Sequence, residues 1–316
     1  MFGVMDIIHI RCGDDLRGRL PPGDYIGYAD PVCLGPARDS GSIAAWLAQR
    51  ARFVAEHAHA PLAEVRARLG ADHAALTAAA RSGAALHLWF EHDVWDQIAL
   101  LRVLAFLWPQ ARGRVRLMPA DGRRVLPALS DAELAALEPQ PLDDRAAETA
   151  LLAWDAFAAP DPAALDRFWR QVLPFPYLAQ ALRRHLQDLP WASDGLALSE
   201  RRVLAAVAAG AQDLAQVLRA FAAADAVFHP TDLMLAEIIA RLRAGTTRLI
   251  VRDGPLALTE RGQAVLAGAR RHAPWPRLVG GVAVGPGAEA WWDPARQGVA
   301  TRPGQALGGL SGLRDG

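Results

Sequence analysis

Three ionisable residues in succession, Glu91-His92-Asp93, close the short apolar run Leu86-His87-Leu88-Trp89-Phe90, and a helical apolar pattern starts directly after them. In an open α/β sheet that is how a strand passes to a helix, and ligands sit just outside such strand ends. Adjacent ionisable groups are costly to desolvate without a partner or a task. Carboxylates beside one imidazole suit two kinds of chemistry. They can hold a hard divalent cation, Mg²⁺ or Mn²⁺, which would polarise a phosphoryl oxygen or activate water. They can also work without metal, with His92 or His9 as a general base whose ordinary pKa lies near neutrality.

Two other segments carry similar residues to a strand end. Asp6 to Cys12 reads as a short buried strand that runs into Gly13-Asp14-Asp15, where glycine permits a tight turn. Asp24 to Ala29 reads as a second strand, ending in the breaker-rich loop from Asp30 to Pro36. If these strands run parallel to Ala84–Phe90, then Arg11, Asp14, Asp15, Asp30, Glu91, His92 and Asp93 gather on one edge. Asp121 would join them after a further strand at Arg114–Met118. Arg11 could there hold an anionic group by two parallel hydrogen bonds. Each residue also has a structural use. Asp93 can cap its helix, and Asp14 or Asp15 a short helix at Leu16. His9 can be a hydrogen-bonded core histidine, and Glu91 can simply pair with Arg11.

The elements that must position these residues follow from periodicity. Helical patterns cover Ser40 to His59, Leu62 to Ala80 in one or two pieces, and Val94 to about Leu107. Strands alternating with helices argue for a mostly parallel sheet, a Rossmann-like α/β domain over residues 1–128. The capping box Ser130-Asp131-Ala132-Glu133 opens a helical bridge over 129–195, broken at Pro160–Pro162 and Pro174–Pro176. Its Trp and Phe stripes read as core.

Over 196–272 three helices (after Ser199, Gln212 to Ala222, Thr231 to Ala244) precede a hairpin, Thr247–Arg252 and Pro255–Leu258, turning at Asp253-Gly254. A last helix follows Leu258-Thr259-Glu260-Arg261-Gly262, and the whole resembles a winged-helix module. Its third helix starts acidic and apolar, with Arg241 and Arg243 only at the end, which favours protein contact over DNA reading. A β-hairpin is expected over 273–293, Leu278–Val284 against Ala288–Trp292 around Gly285–Gly287. The glycine-rich tail, 294–316, is expected to lack structure.

Composition bounds the rest. With 316 residues, 52% of them hydrophobic, the chain can build a large core. The net charge is zero, which sets up no global field toward nucleic acid or anionic membrane. All 34 basic residues are arginine, the codon bias of a GC-rich bacterial genome rather than a recognition device. Two cysteines, Cys12 and Cys33, make neither a disulfide scaffold nor a zinc site. With neither a secretory leader nor a run of membrane-spanning length, a cytoplasmic location is expected. Phosphate-loop, nucleophile-elbow, dinucleotide-binding and zinc-protease motifs are absent from the sequence.

The strings His9-Ile10-x-x-Gly13-Asp14, Ala29-Asp30-Pro31-x-Cys33-x-Gly35-Pro36 and Leu88-Trp89-Phe90-Glu91-His92-Asp93-x-x-Asp96-Gln97 resemble a bacterial family catalogued as domain of unknown function eighteen thirty-five. The resemblance spans roughly Ile8 to Leu107 and implies no established activity. It adds Gly13, Asp96 and Gln97 to the candidates. Many relatives carry Ser where Asp15 stands, which weakens a role for that carboxylate. The resulting expectation is a small anionic ligand, phosphorylated or nucleotide-like, at the strand-end cluster. Asp14, Glu91, His92 and Asp93 are the candidate catalytic groups. His9, Arg11, Gly13, Asp30, Asp96 and Gln97 are the candidate binding groups, and a divalent metal is an open option. The alternative is a ligand-sensing regulator or a protein-docking module acting through the winged helix.

Overall fold

The computed structural model describes residues 6–38 and 41–301. Its centre is a five-stranded sheet in the order β2-β1-β3-β4-β5. The strands are β1 (Ile7–Arg11), β2 (Asp24–Gly27), β3 (Ala85–Trp89), β4 (Val115–Leu117) and β5 (Gln140–Pro141). The first four are parallel, with Arg11 level with Gly27 on one side and Trp89 on the other. Only β5, a two-residue edge strand with no counterpart in the apolar pattern, is antiparallel. The chain leaves β1 toward β2 on one side and β3 toward β4 on the other, so the strand order reverses between β1 and β3. In open α/β sheets that reversal opens a crevice at the carboxyl ends of the strands.

Helix α1 (Ile43–Ala58) is capped by the Ser42 side chain, and α2 (Leu62–Arg81) is a single helix. The two pack through Ala51, Val54, Ala55, Val65 and Leu69. Helix α3 (Val94–Ala111) is buried on nearly every side, so it continues past Leu107 and accommodates Pro109 in its last turn. A second core cluster, Leu16, Trp89, Met118, Leu126, Leu129 and Leu134, lies at the carboxyl end of the sheet. The short helix expected at Leu16 is a pair of turns, with Arg17 N–H on the Asp14 carbonyl and Arg19 N–H on that of Leu16. Ser130 and Glu133 form the expected capping box on α4 (Asp131–Ala135).

Next come α5 (Asp144–Ala158), α6 (Ala163–Phe168) and α7 (Leu178–Leu186). The chain divides into two compact units. One holds the chain up to Ala158 together with Phe168–Ala181; the other holds Ala159–Arg167 and the chain from Leu182.

In the second unit, α8 (Leu198–Ala208), α9 (Leu214–Ala224) and α10 (Asp232–Arg243) precede α11 (Glu260–Leu266). Between α10 and α11 the expected hairpin is reduced to one antiparallel bridge, Ile250 with Leu258. Both sides are short because proline and glycine flank the turn.

The expected hairpin over 273–293 is corrected. Residues Arg277–Val279 (β6) pair with Val282–Val284 (β7), turning at Gly280-Gly281, and Trp291–Asp293 (β8) pairs with Gly298–Ala300 (β9). Gly280 takes φ +59, which suits the tighter turn. The segment 294–301, expected to lack structure, thus contributes a strand that pairs with the one carrying the buried Trp292. Residues 302–316 lie outside the described residues. No helix among the described residues is long and apolar enough to cross a membrane.

Candidate ligand site at the sheet switch point

Arg11 is the last residue of β1, and the extended backbone there aims its side chain into the interior beside the end of β3. All five guanidinium N–H groups are used. Nε and Nη2 donate to the two oxygens of Asp15 at 3.1 and 3.0 Å, and Nη2 also donates to Glu91 Oε1 at 2.6 Å. Nη1 donates to Asp96 Oδ2 at 2.5 Å and to the Trp89 carbonyl at 3.2 Å. The three carboxylates differ in access. Asp15 is 39% exposed in its side chain, whereas Glu91 and Asp96 are 4% and 7% exposed.

One guanidinium among three carboxylates leaves excess negative charge in a desolvated place, which costs several kcal/mol per unpaired ion. The buried carboxyl groups are shifted toward their protonated forms. Burial pushes Asp96 up to about 7, and Arg11 pulls it back only in part because its charge is shared. Burial raises Glu91 as well, against Arg11 and the Leu126 amide. Burial also opposes the charged form of Arg11, but Asp96, Asp15 and Glu91 outweigh it and hold the guanidinium above its ordinary range.

The β3–α3 junction fixes the acids. Asp93 caps α3, its Oδ1 accepting the Asp96 amide at 2.9 Å. That places Asp96 in the first helical turn, facing back to the sheet, where its Oδ2 also accepts the Glu91 amide at 2.6 Å. Gln97 closes the turn by donating to the Glu91 carbonyl at 2.5 Å. His92 is buried, its ring edge-on to Tyr177 at 5.8 Å between centroids.

Arg11, Glu91 and Asp96 are therefore brought together, with Asp93 and Gln97 shaping their backbone. Other candidates lie elsewhere. His9 sits within the sheet, accepting Trp89 Nε1 on Nδ1 at 2.9 Å and meeting the Pro21 carbonyl through Nε2 at 3.1 Å. Burial lowers its pKa, so it is a neutral core histidine with Nε2 protonated. Asp30 forms a buried two-pronged pair with Arg50, at 2.6 to 3.1 Å. Asp14 is exposed and pairs with Arg17 at 2.7 Å. Gly13 takes φ +91, and its carbonyl accepts the Tyr25 hydroxyl.

One participant escaped sequence reasoning and another was given too little weight. Arg50 spends its remaining donors on the carbonyls of Pro31, Leu34 and Pro36, fastening the loop after β2. Its spacing from Trp46 and Val54, one turn either way on the buried face of α1, was the available signal. Asp15 was discounted, yet it alone covers the outer edge of Arg11; its separation of four residues from Arg11 carried that signal. Asp121 does not join the cluster: its carboxylate accepts the amides of Arg123 and Arg124.

Among the described residues no group of three or more His, Cys, Asp or Glu side chains is placed to hold a metal ion. The acids of the cluster converge on a guanidinium instead. Nearby space exists. Leu126, whose amide donates to Glu91 Oε1, lines a cavity of about 280 Å³ with Pro119, Asp121, Arg124, Leu129 and Glu133. No protein-family model, no curated protein and no solved structure matches the chain.

Proposed function

We propose that the first unit binds a small anionic ligand at the β1–β3 switch point, with Arg11 as the group that recognises it. The observation that carries this reading is the placement of a buried, fully engaged arginine where the strand order of a parallel sheet reverses. Glu91 and Asp96 hold the guanidinium from behind, and Asp93 and Gln97 hold the turn that presents them. The acids of the cluster converge on the guanidinium, so recognition in this reading rests on hydrogen bonds from Arg11. Asp96, titrating near neutrality, is the group placed to give or take a proton should the ligand be transformed.

We further propose that residues 196–272 form a winged-helix-like module. The order α8, α9, α10, the Ile250–Leu258 bridge and α11 supports it. Helix α10 buries Met234, Leu235, Ile238, Ile239 and Leu242 and exposes Asp232 and Leu233 at its start. That surface favours a protein partner over DNA. The free thiols of Cys12 and Cys33 accord with a cytoplasmic setting.

A thermal-shift screen of small carboxylates, phosphate esters, nucleotides and divalent metals tests the ligand reading, with wild type and Arg11→Lys in parallel. Lysine keeps the charge and loses the planar fork. An anion should raise the wild-type Tm and leave the variant unmoved. No response from any compound, or equal responses in both proteins, would overturn the reading.

A further inference from the structure

With every Arg11 donor in use, an anion reaches this guanidinium only by replacing one of its present acceptors. The Trp89 carbonyl belongs to β3, and Glu91 and Asp96 are buried and held by further backbone amides, from Leu126 and Glu91 respectively. Asp15 is different. It is the only one of the three acids open to solvent, and no second donor to its carboxylate is seen among the described residues. It lies on the turn between β1 and β2, two residues after Gly13 (φ +91) and three before Gly18 (φ +78), where a Cβ would meet nothing within 4 Å.

We infer that the Asp15 carboxylate is a built-in placeholder on the Nε–Nη2 edge of Arg11, and that the ligand is a carboxylate whose two oxygens take that edge in its place. The inference rests on the ligand reading above and names its chemical class and its competitor. The two bonds Asp15 makes, at 3.1 and 3.0 Å, are the parallel pair by which a guanidinium fork matches a planar carboxylate. Replacement exchanges one carboxylate for another, so the charge around Arg11 is unchanged. Asp15 then leaves to solvent, a small cost for a side chain already partly there. The apparent affinity of the wild type is reduced by the fraction of time Asp15 occupies the edge.

Chemical rescue tests this directly. In Asp15→Ala the edge is vacated, and sodium acetate should raise the Tm in a saturable manner by several degrees over sodium chloride at equal ionic strength. Wild type should respond less than a third as much. Asp15→Ser serves as a second variant should alanine impair folding, with the same response expected. Inorganic phosphate is run alongside. A larger response to phosphate than to acetate would overturn the carboxylate assignment, and equal responses to acetate and chloride would overturn the placeholder altogether. Failure here is distinct from failure of the ligand reading. Acetate rescue of Asp15→Ala in a protein whose wild type answers to nothing in the screen would sustain the edge and sink the function. A wild-type ligand with no acetate rescue would do the reverse.

Discussion

Asp96 Oδ2 accepts from Arg11 Nη1 at 2.5 Å and from the Glu91 amide at 2.6 Å, so one oxygen joins the end of β1 to the start of α3. Burial lifts the Asp96 pKa from 3.8 to about 7, with Arg11 pulling it down and the charges of Asp93 and Glu91 adding to the rise. The folded protein thus keeps a proton that the unfolded chain has released across that interval. The stability this proton provides is complete below pH 3.8 and is lost as pH rises through about 7. Asp96→Asn imitates the protonated form. Between pH 5 and pH 8 it should lose less stability in urea melts than wild type does, and equal losses would show that Asp96 is ionised throughout.

His9 gives a prediction of opposite sign. Burial lowers its pKa, so its neutral form stabilises the fold above the ordinary value of 6.5, and that contribution is lost as pH falls through the lowered value. Nitrogen NMR of the ring should show Nε2 protonated and Nδ1 bare, with no titration between pH 8 and pH 6.5. A midpoint at or above 6.5 would refute the tautomer set by Trp89 and Pro21.

The Asp30–Arg50 pair should behave as a buried fastener. Removing one partner leaves an uncompensated charge, at a cost of about 3–5 kcal/mol. Arg50→Gln and Asp30→Asn are each expected to lower unfolding free energy by that order. Asp14→Asn, at an exposed pair, should change it by no more than about 0.5 kcal/mol. Equal effects at the two sites would contradict the burial contrast.

Asp93 separates capping from ligand contact. Asn caps a helix about as well as Asp, whereas Ala costs about 0.5–2 kcal/mol. Denaturant unfolding should therefore rank Asp93→Asn near wild type and Asp93→Ala clearly below it. A large loss in the asparagine variant would mean that the charge, not the cap, is what the fold uses.

Much of this was legible in the sequence. The strands ending at Arg11 and Trp89, the Asp93 cap, the Ser130 box and the helices from α1 to α11 follow from periodicity and capping chemistry. The parallel sheet follows from their alternation. What stayed hidden depends on tertiary neighbours. The edge strand β5 is two residues long and carries no pattern. The tail strands pair differently because Gly280-Gly281 competes with Gly285–Gly287 as a turn, and local sequence does not choose between them. Within the site, the carboxylates nearest the helix start were readable as a group, but which of them meets Arg11 was not. Asp30 and Asp14 share the same strand-end position in the sequence pattern, yet Arg50 buries one and the other pairs with Arg17 at the surface.

The most direct measurement is the Arg11 Nε–H resonance in a proton–nitrogen correlation spectrum, assigned by its loss in Arg11→Lys. That N–H faces Asp15 now, and it would face a bound ligand instead. Titrating the small carboxylates and phosphate esters of the screen should shift this resonance saturably with at least one of them, in step with the rise in Tm. A compound that raises Tm while the Arg11 resonance stays fixed, or a resonance that moves with none of them, would contradict ligand recognition by Arg11 at the switch point.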